Sequence, residues 1–145
     1  MKVSEIKVSY SNSNEKKIKI TNSEAAYNVV LSHWNLDTLQ YQEEVKLLLL
    51  NRANMVLGIY ELSKGGTTAC IVDIKMVLAI ALKCNAQGIV VIHNHPSGNL
   101  KPSEADNNLT TRLKQACEIV DINMLDHLII SKDGYYSFKD EGKLQ

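Results

Sequence analysis

The sequence predicts a single α/β domain in which helices flank a mixed sheet. Three observations predict it. Pairs of apolar runs joined by short polar turns alternate with segments of helical periodicity, the pattern of helices packed on a sheet. The length, 145 residues, suits one domain. The apolar fraction, 45%, is enough to fill a core without disulfides.

The elements follow in order. "SYSNSNEKK", Ser9 to Lys17, reads as a polar loop between two short N-terminal strands. "TNSEAAYNVVLSHW" reads as a helix capped by Asn22 or Ser23, with Ala26, Val29, Val30 and His33 on its apolar face. His33 there is expected to be a core or rim residue, not a ligand. "EVKLLLL" and "MVLGIYEL" form a hairpin around Asn51–Asn54. Neither run alternates cleanly, so both strands are expected to be covered on both faces. "VDIKMVLAIALKCNAQG" is a second helix, capped by Asp73 and stopped before Gly88, with Ile74, Val77, Leu78, Ala81 and Leu82 on one stripe. Ile89 to Ile92 is a short buried strand. A third helix covers roughly Glu104 to Ile119 and turns Leu109, Leu113, Ala116, Cys117 and Val120 inward. "INMLDHLIIS" and "YYSF" form a second hairpin around Lys132–Gly134, and "KDEGKLQ" is a polar tail.

Composition narrows the function classes. Lys plus Arg and Asp plus Glu both number 16, so the net charge is zero and no footprint for non-specific nucleic-acid binding is expected. No apolar run is long enough to span a bilayer, and no signal sequence follows Met1, so a cytoplasmic protein is expected. Cys70, Cys84 and Cys117 are widely spaced and read as small buried apolar residues.

The chemistry concentrates in "IHNHPSGNLKPSEAD", Ile92 to Asp106. His93 and His95 stand two apart at a strand end, so both imidazoles point to the same side and Asn94 points away. Pro96 and Gly98 turn the chain. Ser103 is a candidate cap for the next helix, and Asp106 falls on the face of Leu109 and Leu113. Two His nitrogens and a carboxylate oxygen are a common set for catalytic zinc, with the fourth position left open. The plainer alternatives are ordinary strand-end histidines and an Asp106 that serves only a Ser-x-x-Asp capping box. A nucleobase deaminase is excluded, since it needs His-x-Glu and Pro-Cys-x-x-Cys.

His-x-His-Pro-x-Gly, then Pro-Ser, then Asp eleven residues after the second His, resembles the JAMM (MPN+, JAB domain) metalloprotease motif. "LKCNAQGIVVIHNHPSGNLKPSEAD", followed by "LDHLIIS" and "YYSF", resembles the RadC family in particular, from about Glu43 to Gly142. The resemblance implies a cytidine-deaminase-like JAB/MPN fold and zinc bound by His93, His95 and Asp106. It implies a catalytic glutamate, matched to Glu61 in "YELSKGG", and a Ser103 that hydrogen-bonds the substrate carbonyl or developing oxyanion. Asp126 and His127 match a recurring Asp-His pair and are expected to support the site from behind. The implied activity is a zinc-dependent hydrolase cleaving a peptide, isopeptide or other amide bond by metal-activated water. The alternative is a module of DNA repair or recombination in which the zinc is structural. RadC-like chains usually carry an N-terminal helix-hairpin-helix region, for which this chain has no space. "SKGGTTACIVD" also differs from the Phe-x-Gly-Thr neighbourhood usual around the glutamate.

Overall fold

A computed structural model describes residues 1–13, 16–65 and 71–144. Cys70 and most of the "SKGGTTA" loop lie outside the described residues. Helix α1 (Ser23–Ser32) starts where the Asn22 side chain accepts the Ala25 N–H at 2.8 Å. It buries Ala26 and Val30. The helix stops before His33, which is exposed. The apolar face is completed by Trp34, one residue further on, because the chain has left helical periodicity there.

Strands β1 (Glu44–Leu50) and β2 (Val56–Lys64) form the first hairpin. Asn54 turns it with φ 60°, and the Asn51 side chain accepts the N–H groups of Ala53 and Met55. β1 is buried along its whole length, Glu44 and Lys46 included with its apolar residues. β2 departs from the sequence expectation. It is an edge strand, paired with β1 alone, and it is only partly buried. The two N-terminal strands are also not formed. Among the described residues before α1 there is only an isolated bridge, Lys19 to Met55, and Ile6 and Val8 stay exposed with no layer to pack on.

Helix α2 (Ile74–Lys83) is capped by the Asp73 carboxylate on Lys75 N–H at 3.0 Å and buries Val77 and Ala81. Leu82 falls off the expected stripe and is exposed. The positive φ after this helix belongs to Asn85 (54°), so Gly88 is free to begin the next strand. Strand β3 (Gly88–Asn94) reaches two residues beyond the expected run and takes in His93. Helix α3 (Glu104–Ile119), β4 (Asn123–Ser131) and β5 (Gly134–Ser137) complete the chain.

The sheet order is β2-β1-β3-β4-β5, antiparallel except for β3 and β4. That parallel pair follows from the α3 crossover between them. Strand parity sorts side chains between two cores. Val45, Leu47, Leu49, Ile89 and Val91 meet α2 and α3 through Val77, Ala81, Leu113 and Cys117. Leu48, Leu50, Val90 and Ile92 meet α1 through Ala26, Val30 and Trp34. By the same alternation His93 faces the α2/α3 side and Asn94 the α1 side. Cys84 and Cys117 are buried free thiols, and burial pushes Cys117 up to about 11. No helix among the described residues is long and apolar enough to cross a membrane.

Candidate metal centre

The β3 end, the turn after it and the start of α3 bring three donors to one point. His93 Nε2 and His95 Nε2 stand 3.0 Å apart. Asp106 places Oδ1 3.2 Å from His93 Nε2 and Oδ2 3.3 Å from His95 Nε2. Tetrahedral ligands at about 2.0–2.1 Å from zinc are separated by about 3.3–3.4 Å, so the donor spacing suits such an ion. Asp106 gets there through its helix. Ser103 Oγ accepts the Asp106 N–H at 3.1 Å, and Asp106 Oδ2 accepts the Ser103 N–H at 2.8 Å. This is a capping box, so the two alternatives read from the sequence are one arrangement: the box aims the carboxylate at the histidines. Ser103 uses Oγ here as an acceptor, which leaves its own proton free to donate.

The far ring nitrogens set the tautomers. His95 Nδ1 lies 2.6 Å from the Asn99 carbonyl, which can only accept, so Nδ1 carries the proton and Nε2 keeps its lone pair. A longer chain serves His93. Thr110 Oγ1 donates to the Asp106 carbonyl at 2.9 Å, His127 Nδ1 lies 2.6 Å from Thr110 Oγ1, and His93 Nδ1 lies 2.8 Å from His127 Nε2. With Thr110 donating onward, His127 Nδ1 donates to Thr110 and His93 Nδ1 donates to His127, which again frees Nε2 at the centre. His127 is fully buried and stacked on Phe138 at 4.6 Å. Burial holds its pKa well below the usual histidine range, so it stays a neutral relay. His127→Leu keeps the volume and removes the relay. Zinc affinity, measured by competition with a chromogenic chelator, is expected to fall about 10–100-fold. Asp126 does different work. It accepts from Ser137 Oγ at 2.5 Å, Lys139 N at 3.0 Å and its neighbour His127 N at 2.7 Å, so it ties β4 to the chain beyond β5.

Charge at the centre is balanced across the donors. Burial alone would raise the Asp106 pKa, but whenever an imidazole takes up a second proton its Nε2–H donates to the carboxylate, and these His93 and His95 hydrogen bonds hold the carboxyl far below its ordinary range. Burial alone would lower His95, but its bonds to Asp106 and the Asn99 carbonyl raise it.

Glu61 is not brought to this point. It pairs with Lys46 in the β1–β2 register, and Lys46 pairs with Ile92, whereas His93 pairs with Val45. Directly paired residues share a face, so Glu61 projects to the opposite side of the sheet from His93. It stands on the exposed edge strand, held by Lys64 at 2.9 Å, and the Lys64 hydrogen bond lowers its pKa. The carboxylate that does reach the histidines is Glu43. Its oxygen and one nitrogen each of His93 and His95 all lie within 4.8 Å of one another. Burial raises the Glu43 pKa, partly offset by the two histidines. Only the strand register reveals it. Glu43 sits two residues before Val45, on the same parity, and Val45 is the partner of His93.

A family model described as the RadC-like JAB domain matches residues 20–143. A UPF0758 protein of Flavobacterium johnsoniae is 49% identical over 100 residues, which cover 69% of this chain and 44% of that protein. One from Thermotoga maritima is 41% identical over 103 residues, 71% of this chain and 46% of that one. One from Porphyromonas gingivalis is 40% identical over 126 residues, 86% of this chain and 54% of that one. The chain therefore spans about half the length of the curated relatives it matches.

Proposed function

From the premise that the chain belongs to the RadC-like JAB domain family, we propose that it is a zinc-dependent hydrolase of amide bonds, whether peptide, isopeptide or another amide. The observation that carries the reading is the set of two His Nε2 atoms and one Asp carboxylate, mutually 3.0–3.3 Å apart, with a fourth donor group, Glu43, beside them. His93, His95 and Asp106 would hold the ion. Bound there, zinc would polarise a carbonyl and lower the pKa of water to about 7.

The chain's own groups supply the remaining steps. The Glu43 carboxylate takes a proton from the attacking water and passes it to the nitrogen of the departing amine. Its raised pKa suits both halves of that transfer. The Ser103 hydroxyl proton, unused in the cap, donates to the carbonyl oxygen as charge develops on it.

The test uses a fluorogenic peptide and isopeptide library with zinc-loaded protein. Removing the metal with 1,10-phenanthroline is expected to abolish cleavage, and added zinc to restore it. Cleavage that survives complete metal removal would refute the reading.

A further inference from the structure

Resting on that reading of Glu43, we propose that Asn94 is a positioning residue that holds the Glu43 backbone against the His93–His95 pair. Glu43 lies in the connection before β1, outside the regular strand, and needs an anchor. Asn94 supplies one from the other face of the sheet. Its side chain is completely buried. Its Oδ1 accepts the Glu44 N–H at 2.7 Å, and its Nδ2 donates to the carbonyls of Leu39 at 2.7 Å and Gln42 at 2.8 Å. One carboxamide thus binds the chain on both sides of Glu43. The Glu43 carbonyl is fixed in turn by the Gly65 N–H at 2.8 Å, and the Gln42 side chain donates to the Gly65 carbonyl at 2.7 Å.

The tripeptide His93-Asn94-His95 therefore acts on both faces of one strand end. The histidines present donors to the centre. The residue between them fixes where the Glu43 segment meets it. The carboxamide supplies the one acceptor and two donors that the three bonds require. Aspartate cannot donate to two carbonyls when ionised, and serine is too short to span them. A buried donor or acceptor left without its partner destabilises the local chain, so loss of Asn94 releases this segment first.

Two measurements on Asn94→Ala and the milder Asn94→Ser decide the matter. The first is amide hydrogen exchange on metal-free protein. The Glu44 amide is expected to exchange at least about tenfold faster in the variants, while amides of Leu47 and Val91 keep their protection. Unchanged Glu44 exchange, or a rise shared equally by Leu47 and Val91, would overturn the proposal. The second is a cycle with Glu43→Gln on the best-cleaved peptide. Asn94→Ser is expected to lower kcat by about 10–100-fold with zinc content unchanged, and to lower it no further in the Glu43→Gln background. Additive losses would assign Asn94 a general structural role and overturn the proposal. If the unmodified protein neither binds zinc nor cleaves any peptide, the hydrolase reading falls, and the exchange measurement still decides whether Asn94 holds the segment.

Discussion

Glu43→Gln is expected to lower turnover of the best-cleaved peptide by about 10²–10⁴-fold, the range for a general acid–base. Glu61→Gln is expected to leave turnover within about twofold, since an exposed ion pair contributes little. The contrast follows from strand parity. Glu61 pairs with Lys46 and projects from the α1 face, while Glu43 shares the face of Val45 and His93. Zinc content should be unchanged in both variants if His93, His95 and Asp106 are the ligands. Equal losses at the two positions, or a loss only at Glu61, would contradict this assignment. A steady-state assay with zinc quantified in the same samples gives the answer.

The second large effect is on pH. His95 must be neutral to coordinate, and in the metal-free protein its pKa is raised above the ordinary 6.5. Protons therefore compete with metal throughout the range below that value. Asp106 stays ionised there, because its pKa is held far down. With the His95 proton displaced by the ion, zinc affinity is expected to fall by more than about tenfold between pH 7 and pH 5. Stability of the metal-free protein runs the other way. A raised histidine pKa contributes stability that is fully present below its unfolded value near 6.5 and is lost as pH rises through the folded value. The His95 contribution should thus be lost as pH rises above about 6.5, read as the difference in thermal stability between metal-free protein and its His95→Gln variant, because buried neutral His127 acts in the opposite sense in both, and zinc should restore stability there. Calorimetric titration and thermal unfolding across this range check both signs. An affinity independent of pH would contradict the ligand assignment.

Most of the architecture was legible from periodicity. The α2 and α3 stripes, the two hairpins and the strand leading into His93 all rest on apolar spacing that burial enforces. The misses have physical causes. Burial on both faces of β2 was inferred from its apolar run, but such a run cannot distinguish a central strand from an edge strand, and β2 has one neighbour. His33 matched helical spacing but lies past the last helical residue, where the spacing no longer applies.

The candidate site shows the same division. His93, His95, Ser103 and Asp106 sit within one strand–turn–helix, so local geometry carries them together. Glu43 arrives through β1–β3 pairing, and register is a long-range property that apolar runs do not encode. A glutamate beside an apolar strand end describes Glu43 and Glu61 alike, and only the register separates them. Thr110 and the direction of the His127 relay were equally hidden, since they depend on how α3 packs on β4.

The most direct test of the central claim is anomalous diffraction at the zinc edge from crystals of the zinc-loaded protein. One peak is expected at about 2.0–2.2 Å from His93 Nε2, His95 Nε2 and an Asp106 carboxylate oxygen, with Glu43 facing the open side. A peak held by other residues, or none at full zinc loading, would contradict it.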